Sequence, residues 1–107
     1  MQITISGRHL EVTEAIRNYT SEKFARLAKL TDQVTHVSFI ISVEKQKQII
    51  EATLSVANAK DIHIGHETED MYASIDGLMD KLDRKLVEIK KKHLDAARQP
   101  KIRDYEP

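Results

Sequence analysis

The chain has no cysteine among its 107 residues. That excludes a disulfide framework, a thiolate metal site and a thiol nucleophile, and it fits a reducing compartment. Only three glycines and two prolines are present, too few for a glycine-rich loop that cradles nucleotide phosphates on backbone N–H groups. Tryptophan is absent, and aromatics make up 5% of the chain. Single-strand nucleic-acid platforms built on exposed stacking rings are therefore not expected, because Phe24 and Phe39 fall at core positions. No apolar run is long enough for a membrane span or a signal peptide. The apolar-rich segment Val37–Val43 is short and reads as a strand. There is no His-Glu-x-x-His zinc motif and no nucleophile elbow. These absences point to a soluble, cytoplasmic, single-domain protein that is not an enzyme, with no catalytic residue, no metal, no cofactor and no small-molecule substrate.

Periodicity supplies the elements. Gln2–Ser6 alternates and stops at Gly7, a short strand. Thr13 is a good helix N-cap, and Ile16, Tyr19, Phe24, Leu27 and Leu30 recur at helical spacing after it. Val37, Phe39, Ile41 and Val43 alternate with His36, Ser38, Ile40 and Ser42, and Ile50, Ala52, Leu54 and Val56 with Glu51, Thr53 and Ser55: two strands joined by a polar turn. A turn at Asn58–Asp61 leads to a short strand at Ile62 and Ile64. Thr68 or Asp70 then caps a long helix with the stripe Met71, Ile75, Leu78, Leu82, Leu86 and Ile89, and with Met79 at its edge. The fold class is therefore α+β, in the order β-α-β-β-β-α. It predicts a two-layer sandwich of a four-stranded mixed sheet with both helices on one face. Residues 1–97 form the domain, and 98–107 a flexible C-terminal tail.

Charge is the remaining signal. The chain is neutral overall, with 17 basic and 17 acidic residues, yet Lys81–Arg103 holds nine of the bases against three acids. Projected at about 100° per residue, Lys81, Arg84, Lys85, Lys91 and Lys92 fall on one flank of the long helix. Asp76, Asp80 and Asp83 fall on the other. Segregation of this kind costs helix stability through like-charge repulsion, so it reads as a polyanion-binding surface rather than a merely solvated face. On the first helix Lys23 intrudes on the apolar range, with Arg26 beside it and Lys29 further round. Lys23 and Arg26 are expected to point into the groove between the helices and to meet the basic flank of the second helix there. The candidate RNA-binding residues are thus Lys23, Arg26, Lys29, Lys81, Arg84, Lys85, Lys91 and Lys92, acting on backbone and shape. Asp76 and Asp80 read as a solvated acidic flank rather than a cation site.

Several segments resemble a known family. These are Glu11-Val-Thr-Glu-Ala-Ile-Arg, Lys23-Phe-Ala-Arg-Leu, Glu51-Ala-Thr-Leu and, above all, the run from Glu69 to Arg84 with its Asp-Met-Tyr-x-x-Ile-Asp core at 70–76. They are similar to the bacterial ribosome hibernation factors, the sigma modulation proteins, in their short form, over roughly residues 1–95. The resemblance implies a fold akin to double-stranded-RNA-binding domains. It also implies a partner, the small ribosomal subunit and its ribosomal RNA, bound where transfer and messenger RNA lie, so that translation is silenced in stationary phase. The family's basic helix positions map onto Lys23, Arg26, Lys81, Arg84 and Lys85. The second domain of long-form members has no match here, and the modest tail favours promotion of ribosome dimerisation by a protein that is a monomer when free. The alternatives are an inhibitor whose longer tail blocks dimerisation, and a generic double-stranded RNA binder.

Overall fold

The periodicities become four strands and two helices in the computed structural model, which describes the backbone of residues 1–103 and the side chains of residues 1–94. The elements are β1 (Gln2–Gly7), α1 (Glu14–Leu27), β2 (Val34–Glu44), β3 (Lys47–Val56), β4 (Ile62–Thr68) and α2 (Met71–Arg103). The helical backbone of α2 thus overlaps the first residues of the segment read as a flexible tail. The side chains of that segment, and residues 104–107 entirely, lie outside the described residues. The sheet order is β1-β2-β3-β4. β1 runs parallel to β2, as a crossover through α1 requires, and the other neighbours are antiparallel.

Local chemistry sets the boundaries. The Thr13 hydroxyl accepts from the Ile16 amide at 3.2 Å and starts α1. The helix ends at Leu27 rather than Leu30, because the chain tightens into a 3₁₀ turn over Ala28–Leu30. At the start of α2 both candidate caps take part. The Asp70 carboxylate accepts from the Ala73 amide at 3.1 Å, and the Thr68 hydroxyl accepts from the Asp70 amide at 3.0 Å. Buried Ser74 donates to the Gln48 carbonyl at 2.6 Å and pins the first turn of α2 to β3. Asn58 adopts φ 60 in the β3–β4 turn, a left-handed conformation that asparagine tolerates better than most residues.

The apolar alternation chooses one sheet face. Val37, Phe39, Ile41, Ile50, Ala52 and Leu54 are essentially buried beneath the helices. The α2 stripe Ile75, Leu78, Leu82 and Leu86 is completely buried against them, with Met71, Met79 and Ile89 closing the edges. Phe24 brings α1 onto the same face and meets the Phe39 ring edge-on at 5.5 Å. Burying one Leu or Phe side chain of this kind contributes about 1.5–3 kcal/mol. The opposite face carries the cross-strand pairs Ser38–Thr53, Ile40–Glu51 and His36–Ser55, and no helix covers it. Val43 departs from its expected place: it is 48% exposed, because β2 runs past the end of the helical layer.

β4 is longer than the two isoleucines suggested, and the extension has a purpose in packing. His66 lies on the helix side of β4, beneath Gly77 of α2. A Cβ at Gly77 would come within 2.2 Å of the His66 ring, so the glycine allows strand and helix to approach. His63 points to the open face instead, where its Nδ1 is 2.9 Å from the Thr53 hydroxyl. Helix propensity alone favours alanine over glycine by about 1 kcal/mol. We therefore expect Gly77→Ala to destabilise the chain by about 1 kcal/mol net, and to stabilise it in a His66→Ala background. Thermal unfolding of the four proteins checks the sign change; the same sign in both backgrounds would refute the packing account.

Candidate nucleic-acid interface

α1 covers the β1–β2 side of the sheet and α2 the β3–β4 side, and the two helices run in the same direction. Tyr19 faces Tyr72 and Asp76, while Lys23 and Arg26 further along α1 face Asp76, Met79, Asp80 and Asp83 further along α2. The groove between the helices is therefore lined by cations from α1 and by the acidic flank of α2. This corrects the expectation that Lys23 and Arg26 meet the basic flank there. A helical projection separates two flanks but does not say which one faces the neighbouring helix. Topology decides that, and here it pairs opposite charges across the groove.

Asp76 is the hub of that groove. Its carboxylate accepts a 2.6 Å hydrogen bond from the Tyr19 hydroxyl and stands 3.5 Å from the Lys23 ammonium. Lys23 also lies over the Tyr19 ring at 5.3 Å, and the Tyr19 and Tyr72 rings meet edge to face at 4.9 Å. Lys23 thus snorkels out of the apolar stripe onto a prepared partner. The hydrogen bond to Asp76 raises the Tyr19 phenol above its ordinary pKa, with desolvation and the carboxylate charge adding to it and Lys23 opposing it.

The basic flank of α2 faces the other way. Lys81 donates to the Gly65 carbonyl on the outer edge of β4 at 2.8 Å. Lys85 and Lys92 bracket Glu88 at 3.5 and 3.2 Å. The hydrogen bond from Lys92, then the charges of Lys85 and Lys92, hold the Glu88 carboxyl below its ordinary range. Arg84 and Lys91 are exposed, and among the described residues neither has an ion-pair partner. Arg26 and Lys29 of the α1 segment are exposed and likewise without one among the described residues. From Lys81 to Lys92 the five candidate cations of α2 occupy roughly 16 Å of helix. That is about two Debye lengths at physiological salt, so the fields of neighbouring cations overlap while the two ends of the row are screened from each other. The eight candidates therefore form two groups rather than one groove: Lys81, Arg84, Lys85, Lys91 and Lys92 along α2, and Lys23, Arg26 and Lys29 beyond the acidic flank.

Sequence reasoning placed Tyr19 in the apolar stripe of the first helix and Tyr72 in the Asp-Met-Tyr motif but missed their contact, because the two lie 53 residues apart in the chain. It also missed Arg17, which donates to the Ile5 carbonyl at 3.0 Å and ties α1 to β1. No group of three or more metal-ligating side chains converges among the described residues. No described helix is long and apolar enough to cross a membrane.

The Tyr19–Asp76 contact makes a pH prediction. The folded state holds the phenol proton more tightly than the unfolded chain does. Its contribution to stability is fully present below the unfolded-chain pKa, about 10, and is lost as pH rises through the raised folded value. Tyrosinate absorbance should show one tyrosine titrating above the ordinary value, and Asp76→Asn should return it to normal. Identical titrations of the two proteins would show that the contact is not held in solution.

With this geometry in place, comparison with known proteins is direct. The family described as sigma 54 modulation protein / S30EA ribosomal protein matches residues 3–94. The ribosome hibernation promoting factor of Azotobacter vinelandii is 50% identical over 95 residues, covering 89% of this chain and 88% of that protein. Its namesake in Escherichia coli (strain K12) is 45% identical over 99 residues, 92% of this chain and 99% of that one. Among solved structures, a ribosomal subunit interface protein from Coxiella burnetii superposes with a TM-score of 0.78 at 28% identity, over 85% of this chain and 99% of its own. The N-terminal domain of Thermus thermophilus Protein Y gives 0.73 at 30% identity, over 83% and 99%. A match of this extent, over residues 3–94, makes the chain a member of the sigma 54 modulation protein / S30EA ribosomal protein family.

Proposed function

We propose that this chain is a ribosome hibernation factor that binds the small ribosomal subunit through the cations of α2, at the sites of transfer and messenger RNA, and so silences translation in stationary phase. The observation that carries the reading is the segregation of charge on α2. Asp76, Asp80 and Asp83 are turned to α1, and Lys81, Arg84, Lys85, Lys91 and Lys92 are left along the flank and crest away from that neighbour, with Glu88 the single acid among them. A neutral chain with one positive ridge presents an attractive field to RNA phosphates only in that orientation. Lys23, Arg26 and Lys29 add a secondary contact at the groove, with Lys23 held in place by Asp76. The names of the relatives supply the ribosome as partner; the charge arrangement supports an RNA backbone as what is touched. The chain works as a binding protein in the cytoplasm, without cofactor or substrate, and is a monomer when free.

Promotion of ribosome pairing belongs to the same proposal, as does a tail at 98–107 that does not obstruct it. One sedimentation experiment with idle ribosomes and isolated subunits reads both. The native chain should travel with the small subunit and leave paired ribosomes in the gradient. Arg84→Glu with Lys91→Glu removes two solvent-facing cations without touching the core. Each lost charge-assisted contact is worth about 1.5–3 kcal/mol, so binding should weaken by about a hundredfold to ten-thousandfold with unfolding unchanged. Unaltered co-sedimentation of that variant would place the interface elsewhere. Pairing that appears only after truncation at Ala97 would make the chain an inhibitor of pairing, and equal binding of any RNA duplex would make it a generic binder.

A further inference from the structure

The basic flank of α2 does not border only solvent. Beside its C-terminal half, a cleft of about 230 Å³ opens between the helix, the start of β2 and the β3–β4 turn. Its apolar lining comes from Val56, Ala57, Ala59, Ile62 and Ile89. Lys85, Lys92 and His93 stand on its α2 side together with Glu88, and Gln33 at the opposite end brings the one side-chain amide. The volume is below the roughly 300–1,000 Å³ of pockets that enclose drug-sized ligands, so it suits a flat fragment rather than a whole cofactor.

We propose that this cleft receives one unpaired nucleotide of the bound RNA, with the base against the Val56–Ile62 lining and its phosphate on Lys85 and Lys92. The inference rests on the RNA-binding reading above and adds to it a base-accepting site. Charge complementarity selects the occupant. Two lysines share one carboxylate, so the rim keeps a net positive charge, and each ammonium has three donors, enough to serve Glu88 and a phosphate oxygen together. Size selects a base: the small side chains of Ala57 and Ala59 leave room for a planar ring where larger ones would fill the cleft. The Gln33 amide offers both a donor and an acceptor to a base edge, the kind of contact through which splayed-out RNA bases are read. The half-open cleft offers aliphatic contact from the helix side and the turn side in place of an aromatic platform.

The test is amide chemical-shift mapping of the full chain with three probes: adenosine 5′-monophosphate, ribose 5-phosphate and a short unpaired oligoribonucleotide. The mononucleotide should shift the amides of Val56, Ala59, Ile62 and Ile89 saturably, while ribose 5-phosphate should shift only residues near Lys85, Lys92 and His93. The oligonucleotide should give the mononucleotide pattern at lower concentration. Ala57→Leu, which fills the cleft without removing a charge, should abolish shifts at the lining and leave the rim shifts intact. The same variant should weaken small-subunit binding roughly five- to tenfold with an unchanged salt slope, because a base contact releases no counterions. Ribose 5-phosphate reproducing the full pattern, or no shift at the lining with any probe, would overturn the site. A mononucleotide that binds more tightly than the oligonucleotide would make it a receptor for free nucleotides instead. If the native chain fails to bind the small subunit, the ribosomal reading falls while the titration still decides the cleft.

Discussion

The buried stripe of α2 is the constraint on which the rest of the molecule depends. Ile75, Leu78, Leu82 and Leu86 are wholly buried on the apolar face of the sheet, which fixes the rotation of the helix about its own axis. Once that rotation is fixed, every charged residue of α2 has an assigned direction. The acids at positions 76, 80 and 83 must face α1, and the bases must face the β4 edge and solvent. A rotation of one residue, about 100°, would bury charge and forfeit several side chains of apolar burial. The binding surface is therefore positioned by the core, not by its own contacts, most of which are exposed ion pairs of little stabilising value.

Much of this was legible in the sequence because the signals are local. The α2 stripe, the alternation in β2 and β3, the Thr13 cap and the turn at Asn58 each follow from neighbouring residues, and they appear where the spacing puts them. The long β4 was not legible. Past Ile64 its inward positions are His66 and Thr68, which buries a ring beneath Gly77 instead of an aliphatic side chain. The groove was misread for a different reason. A helical projection has no knowledge of handedness between elements, so it left open which flank of α2 meets α1. The available clue was complementarity: Lys23, intruding on an apolar stripe, needs an acid opposite it, and Asp76 is that acid. The cleft at the C-terminal half of α2 had no sequence signal, since its lining comes from β3, β4, α2 and two connecting segments.

The arrangement also gives a neutral chain one face with a concentration of positive charge. Pairing Asp76 with Lys23, and turning Asp80 and Asp83 to the same groove, weakens their share of the field on the outer flank of α2. Lys81, resting on the Gly65 carbonyl, covers an open strand edge while the domain is free and retains donors for a phosphate. Glu88 holds Lys85 and Lys92 together above the cleft at distances of 3.5 and 3.2 Å, which places two ammonium groups for one anion. On the proposed reading, binding would exchange weak exposed ion pairs for phosphate contacts and released counterions.

Because the central claim is electrostatic docking of α2 on ribosomal RNA, the salt dependence of small-subunit affinity tests it most directly. Five or six neutralised phosphates predict that log K falls with log salt at a slope of about −4.5 to −5.5, on the coefficient for duplexes. A slope near zero at unchanged fold would contradict the account, since it would mean that apolar docking, and not the charge ridge of α2, holds the protein on the subunit.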